Sequence, residues 1–97
     1  MTTSFLSTKK LEGAALILKT MAHPLRLGIV DLLRHYKRLS VNEICEHLGS
    51  EQSLTSHHLT GMRLKGLLFC EREGKNMYYS LRLKEISQVV STVEELS

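Results

Sequence analysis

Between Gln52 and Arg63 the chain places Gln52, Ser53, Ser56, His57, Thr60 and Arg63, and Arg72 and Lys75 follow shortly after. Amides, hydroxyls and imidazoles can meet base edges or phosphate oxygens, and guanidinium and ammonium groups neutralise phosphate. These eight residues are the candidate contacts to duplex DNA. Each polar side chain taken singly reads as a solvated surface group, so their grouping carries the reading. Glu71 and Glu73 lie between the same cations and would dilute a basic field.

Other chemistries are poorly served. The sequence has no Gly-rich phosphate loop and no set of nucleophile, base and orienting residue, so it does not read as an enzyme. Cys45 and His47 are two apart on an expected helix and point to nearly opposite sides, and His57 and His58 diverge as well. No metal site or cofactor is expected. Cys45 and Cys70 read as two small buried hydrophobes, with a redox pair as the alternative if their Cα atoms approach within about 7 Å.

Charge and size are compatible with a polyanionic partner. The chain has 97 residues, a net charge of +3 and 42% hydrophobic residues, which suits one domain, 1–97, with 1–7 as a frayed tail. A chain this short leaves much of its surface exposed, so a second copy would help it bury apolar area. There is no secretory signal pattern and no apolar run long enough to span a bilayer, so a cytoplasmic location and no membrane partner are expected.

The elements that must position the polar group follow from periodicity. Leu11, Ala15, Leu18 and Ala22, widened by Leu16 and Ile17, predict a helix from Thr8. His23-Pro24 breaks it and starts a second helix, Pro24 to His35, with Leu25, Ile29, Leu32, Leu33 and Tyr36 on one side. After the basic connector Lys37-Arg38, a short helix Val41 to His47 carries Ile44, Cys45 and Leu48 inward. Ser40 and Glu43 have capping-box spacing there, and Gly49 closes the helix. A fourth helix, Gln52 to Leu64, turns Thr55, Leu59 and Met62 inward and stops at Gly66. His58 is expected to be partly packed and hydrogen-bonded. Two strands, Leu67 to Glu73 and Asn76 to Arg82, flank the turn at Gly74-Lys75, and a helix from Lys84 to Ser97 closes the chain. Two short helices joined through a glycine turn suggest helix-turn-helix.

Three segments resemble the ArsR/SmtB-type repressors. Met21-Ala22-His23-Pro24-Leu25-Arg26-Leu27 is similar to their opening signature, and Gln52 through Leu59, continuing through Leu64-Lys65-Gly66-Leu67-Leu68, to their recognition helix. Arg72 through Leu81 resembles their wing. The resemblance implies a mainly α winged helix-turn-helix with a β-hairpin wing, in the order α-α-α-α-β-β-α. It also implies a homodimer joined by the first and last helices, a near-palindromic operator, and repression under ligand or redox control. Ser40 and Asn42 stand where many relatives carry thiolate ligands, and the last helix offers Glu85, Glu94 and Glu95 without His or Asp. Glu51, Leu54 and Thr55 depart from the family pattern at the recognition helix. A winged-helix module that contacts protein instead of DNA is the competing reading.

Overall fold

A computed structural model describes residues 4–97; residues 1–3 of the expected tail lie outside the described residues. Helix α1 spans Thr8–Met21 and α2 Pro24–Tyr36; strand β1, Leu39–Ser40, leads into α3, Val41–Leu48, and α4, Gln52–Leu64. Strands β2, Leu68–Glu73, and β3, Asn76–Leu81, form the hairpin before α5, Ile86–Leu96. No helix among the described residues is long and apolar enough to cross a membrane.

Local chemistry sets most boundaries. Ser7 accepts from the Lys10 amide and caps α1. His23 Nδ1 accepts from the Leu25 amide and caps α2, with Pro24 inside the first turn, where its missing N–H is no loss. At α3 the expected box is complete: Ser40 Oγ accepts from the Glu43 amide, and the Glu43 carboxylate accepts from the Ser40 amide. Hydrogen bonding to the carboxylate from the Ser40 backbone amide, and then from the Ser40 side chain, holds the Glu43 carboxyl below its ordinary range. Gly49 and Gly66 adopt φ of 61° and 83°, the left-handed region that a side chain disfavours.

Helix α2 is bracketed by two γ-turns. The first centres on Ala22, where His23 N–H donates to Met21 O at 2.7 Å. The second centres on Lys37, φ 68° and ψ −45°, where Arg38 N–H donates to Tyr36 O at 2.8 Å. The Lys37 turn is of the rarer, strained hand.

The core joins Ile29, Val30 and Leu33 of α2 to Ile44 of α3, Leu59 and Met62 of α4, Leu68 and Tyr79 of the hairpin, and Ile86 and Val90 of α5. The sheet has the antiparallel order β1-β3-β2, with Leu39 opposite Tyr79 and Cys70 also opposite Tyr79. The expected hairpin is thus a three-stranded sheet. Strand β1 is two residues long, and a period of two has no meaning over two residues.

Two apolar stripes are covered only in part within the single chain. Tyr36 is more than half exposed and lies against His47, ring centroids 4.7 Å apart. Ala15 and Leu18 of α1, and Ala22 just past its end, are exposed, and only Thr20 and Met21 of the helix are buried. The radius of gyration, 14.5 Å, exceeds the roughly 12.5 Å of a compact chain this long.

Candidate nucleic-acid interface

Helix α4 presents two chemically distinct sides. Thr55, Leu59 and Met62 are fully buried, and burying each of the two large apolar side chains favours this orientation by about 1.5–3 kcal/mol. Thr55 meets its polar requirement inside, donating to Glu51 O at 2.9 Å and sharing a 2.7 Å hydrogen bond with Ser50 Oγ. At about 100° per residue, Gln52, Ser53, Ser56, His57, Thr60 and Arg63 fall within an arc of roughly 140° on the other side. All are exposed except Ser56, which is half-buried.

The wing meets one end of that arc. Gln52 and Ser56 of α4, Asn42 of α3, and Lys75 and Asn76 of the hairpin tip line one cleft of about 200 Å³, floored by Val41 and Met77. Three of the eight sequence-derived candidates therefore converge. Ser53, His57 and Thr60 continue along the helix. Arg63, eleven residues from Gln52, lies about 16 Å farther along the axis and approaches Tyr79. Burial, followed by the Cys70 thiol, pushes the Tyr79 phenol up, and Arg63 pulls it down. Asn42 and Asn76 were missed by the sequence reading. Asn76 opens the second strand in that reading; a polar residue one position from a turn cation was the available signal.

The acids of the wing are occupied. Arg38 pairs with Glu71 at 3.5 Å and with Glu73, and its guanidinium lies 4.0 Å from the Tyr78 ring centroid. The Glu73 hydrogen bond is the main cause of an Arg38 titration raised above the ordinary range. Strand alternation puts Arg72 on the opposite face from Glu71 and Glu73. Arg72 Nε–H donates to Gly74 O at 3.3 Å, and neither Arg72 nor Lys75 belongs to an ion pair among the described residues. Arg38, read from sequence as a connector, thus balances acids 33 and 35 residues away.

The N-terminus of α4 is not a free phosphate site. Glu51 caps it, its carboxylate accepting from the Ser53 amide at 3.2 Å. A carboxylate there stabilises the helix dipole but competes with phosphate for the same N–H group.

Behind the arc, His58 is buried and accepts Arg26 Nε–H at Nδ1, 3.0 Å away, while Arg26 Nη1 donates to Thr20 O at 3.0 Å. The His23 ring lies 4.4 Å from His58 between centroids. Burial is the largest cause of a His58 titration below the ordinary range; His23, Arg26 and His57 add to it. Cys45 on α3 and Cys70 on β2 are free and only half-buried, not the fully buried hydrophobes expected. Among the described residues, no group of three or more His, Cys, Asp or Glu side chains is placed to hold a metal ion.

A paired-helix unit with an adjoining β-hairpin and a polar arc on its second helix defines a winged helix-turn-helix. The profile of the family described as "Bacterial regulatory protein, arsR family" matches residues 23–68. The chain is 40% identical over 86 residues to the transcriptional repressor PagR of Bacillus anthracis, covering 89% of this chain and 86% of that protein. It is 32% identical over 88 residues to the transcriptional activator HlyU of Vibrio cholerae, covering 91% and 81% of the two. The solved structure of that HlyU superposes with a TM-score of 0.83 at 31% identity, covering 93% of this chain and 97% of the other. The chain belongs to the arsR family of bacterial regulatory proteins. It is a DNA-binding transcription regulator of the winged helix-turn-helix class, not an enzyme.

Proposed function

We propose that this regulator acts in the cytoplasm as a homodimeric repressor, reading a near-palindromic operator with α4 in the major groove and the wing tip on the adjoining backbone. The convergence of Gln52 and Ser56 with Lys75 at one cleft carries this reading. The base-contacting set is Gln52, Ser53, Ser56, His57 and Thr60. Arg63, Arg72 and Lys75 supply phosphate contacts. The exposed apolar residues Leu16 and Leu18 of α1 and Val93 and Leu96 of α5 support pairing through the first and last helices. A twofold pair of recognition helices requires half-sites about one helical turn apart. The repressive sign follows PagR, the relative at 40% identity.

Selection of bound duplexes from a random pool tests the whole reading. Enrichment of an inverted repeat, with a dimer in solution, is the expected result. Loss of discrimination in Ser56→Ala/His57→Ala, with the fold intact, assigns the base contacts. Lys75→Ala should weaken all duplexes alike and reduce the salt slope by about one. Equal binding of selected and scrambled duplexes overturns sequence-specific regulation.

A further inference from the structure

A second and larger cavity of about 520 Å³ opens between the end of α2, the hairpin and the start of α5. Its size falls in the range of small-molecule sites. Leu33, Phe69 and Leu81 supply its apolar surface, and Phe69 is more than half exposed beside it. Phe69 stands opposite Ser80 in the β2–β3 register, so both project to one face of the sheet. The polar part of the lining is one-sided: Arg34, Lys37 and Lys84 contribute to it, and no carboxylate does.

The three cations are not equivalent. Arg34 is committed to Asp31 at 2.8 Å and Glu94 at 3.0 Å. Lys37 Nζ donates only to the carbonyl of Arg34, at 3.2 Å, and the Lys84 ammonium has no ion-pair or hydrogen-bond partner among the described residues. Two unpaired ammonium groups thus flank an apolar floor. Ser87 donates to Lys84 O and leaves its oxygen lone pairs free to accept. Ser87 is two positions from Val89, or about 160° around α5, so the cavity and the Val89 side of the helix are separate surfaces.

We propose that this cavity is a binding site for a small organic anion, a carboxylate carried on an aromatic or branched apolar body. The body covers Phe69, Leu33 and Leu81, and the carboxylate lies between Lys37 and Lys84. An inorganic anion would leave the apolar floor wet, and a neutral apolar molecule would leave both ammonium groups unmatched. The site does not depend on operator binding and is tested without DNA.

Naphthalene-1-carboxylate is the probe, titrated into the full-length ¹⁵N-labelled chain while backbone amide shifts are followed. Saturable shifts centred on Leu33, Lys37, Phe69, Ser80 and Ser87 are expected. Naphthalene-1-carboxamide, equal in shape and uncharged, should bind about tenfold more weakly, the scale of two exposed charge contacts. Lys37→Gln/Lys84→Gln should remove that difference and leave carboxamide binding unchanged. Absence of saturable shifts, shifts centred on α1 or on Val89 and Val93, or equal affinity for the two probes overturns the site.

Discussion

Arg26 joins three helices through one guanidinium: Nε–H donates to Nδ1 of His58 on α4 at 3.0 Å, and Nη1 donates to Thr20 O at the end of α1. The arrangement requires His58 Nδ1 to be free of a proton. A protonated imidazole would lose this acceptor and face Arg26, His23 and His57 as further cationic or protonatable groups.

That requirement gives stability a pH dependence. The folded His58 titrates below its ordinary value. Above about pH 6.5 neither folded nor unfolded His58 carries the proton. As pH falls below that, the unfolded chain takes up the proton first, so stability declines towards the folded value. Urea midpoints at pH 7.5 and 5.5 should show a fall in the wild type and a smaller fall in His58→Gln. Equal falls in both proteins would place the dependence elsewhere.

Gly61 lies under the same guanidinium. A Cβ there would stand 2.9 Å from Arg26 Nη2. Alanine in a helix interior gains up to about 1 kcal/mol over glycine, but here the gain competes with displacing a charged hydrogen-bonding group, worth about 1.5–3 kcal/mol. Gly61→Ala is expected to destabilise the wild type and to stabilise Arg26→Ala by about 1 kcal/mol. A double-mutant cycle in urea reads the sign change, and the same effect in both backgrounds would separate the two residues energetically.

Lys37 holds φ at 68° in the strained γ-turn that ends α2. A left-handed non-glycine residue costs about 1–2 kcal/mol, part of which glycine returns as unfolded-state entropy. Lys37→Gly should therefore raise stability by about 0.5–1 kcal/mol. Thermal melting provides the check, and a lower midpoint would mean that contacts of the lysine stem outweigh the strain.

Arg38 has its consequence in binding. With Arg38→Gln, Glu71 and Glu73 lose their partner and the wing regains two unbalanced acids. Duplex affinity should drop about three- to tenfold at low ionic strength, and the difference should shrink as salt rises. An unchanged affinity at low salt would show that these carboxylates lie too far from the phosphates to matter.

Most of the architecture was legible because periodic burial spans enough residues to announce itself. Thr55, Leu59 and Met62 fixed both the extent of α4 and its polar side, and Gly49 and Gly66 marked left-handed ends that the backbone adopts. What stayed hidden depends on partners distant in sequence. Leu39 and Ser40 become a strand only because Tyr79 and Tyr78 arrive beside them. The pairing of Arg38 with Glu73 has the same origin. Leu16 and Leu18 announce a helix by their spacing and are exposed in the single chain, because apolar spacing records that a surface is sticky, not which surface covers it. Glu51 as a cap was half legible: the sequence showed the departure from serine, and the structure supplies the carboxylate–amide bond that replaces it.

Ser40 is the last residue of β1 and the cap of α3, opposite Tyr78 of the wing on one side and bonded to Glu43 on the other. The hairpin and the reading head therefore share a fulcrum. A force that tilts the wing away from a duplex cannot be absorbed by a slack hinge at that point, because the hydrogen bonds fixing the strand edge are continuous with those fixing the first turn of α3. Tilting the hairpin therefore strains the first turn of α3, and with it the side of the cleft that Asn42 shares with Gln52 and Ser56.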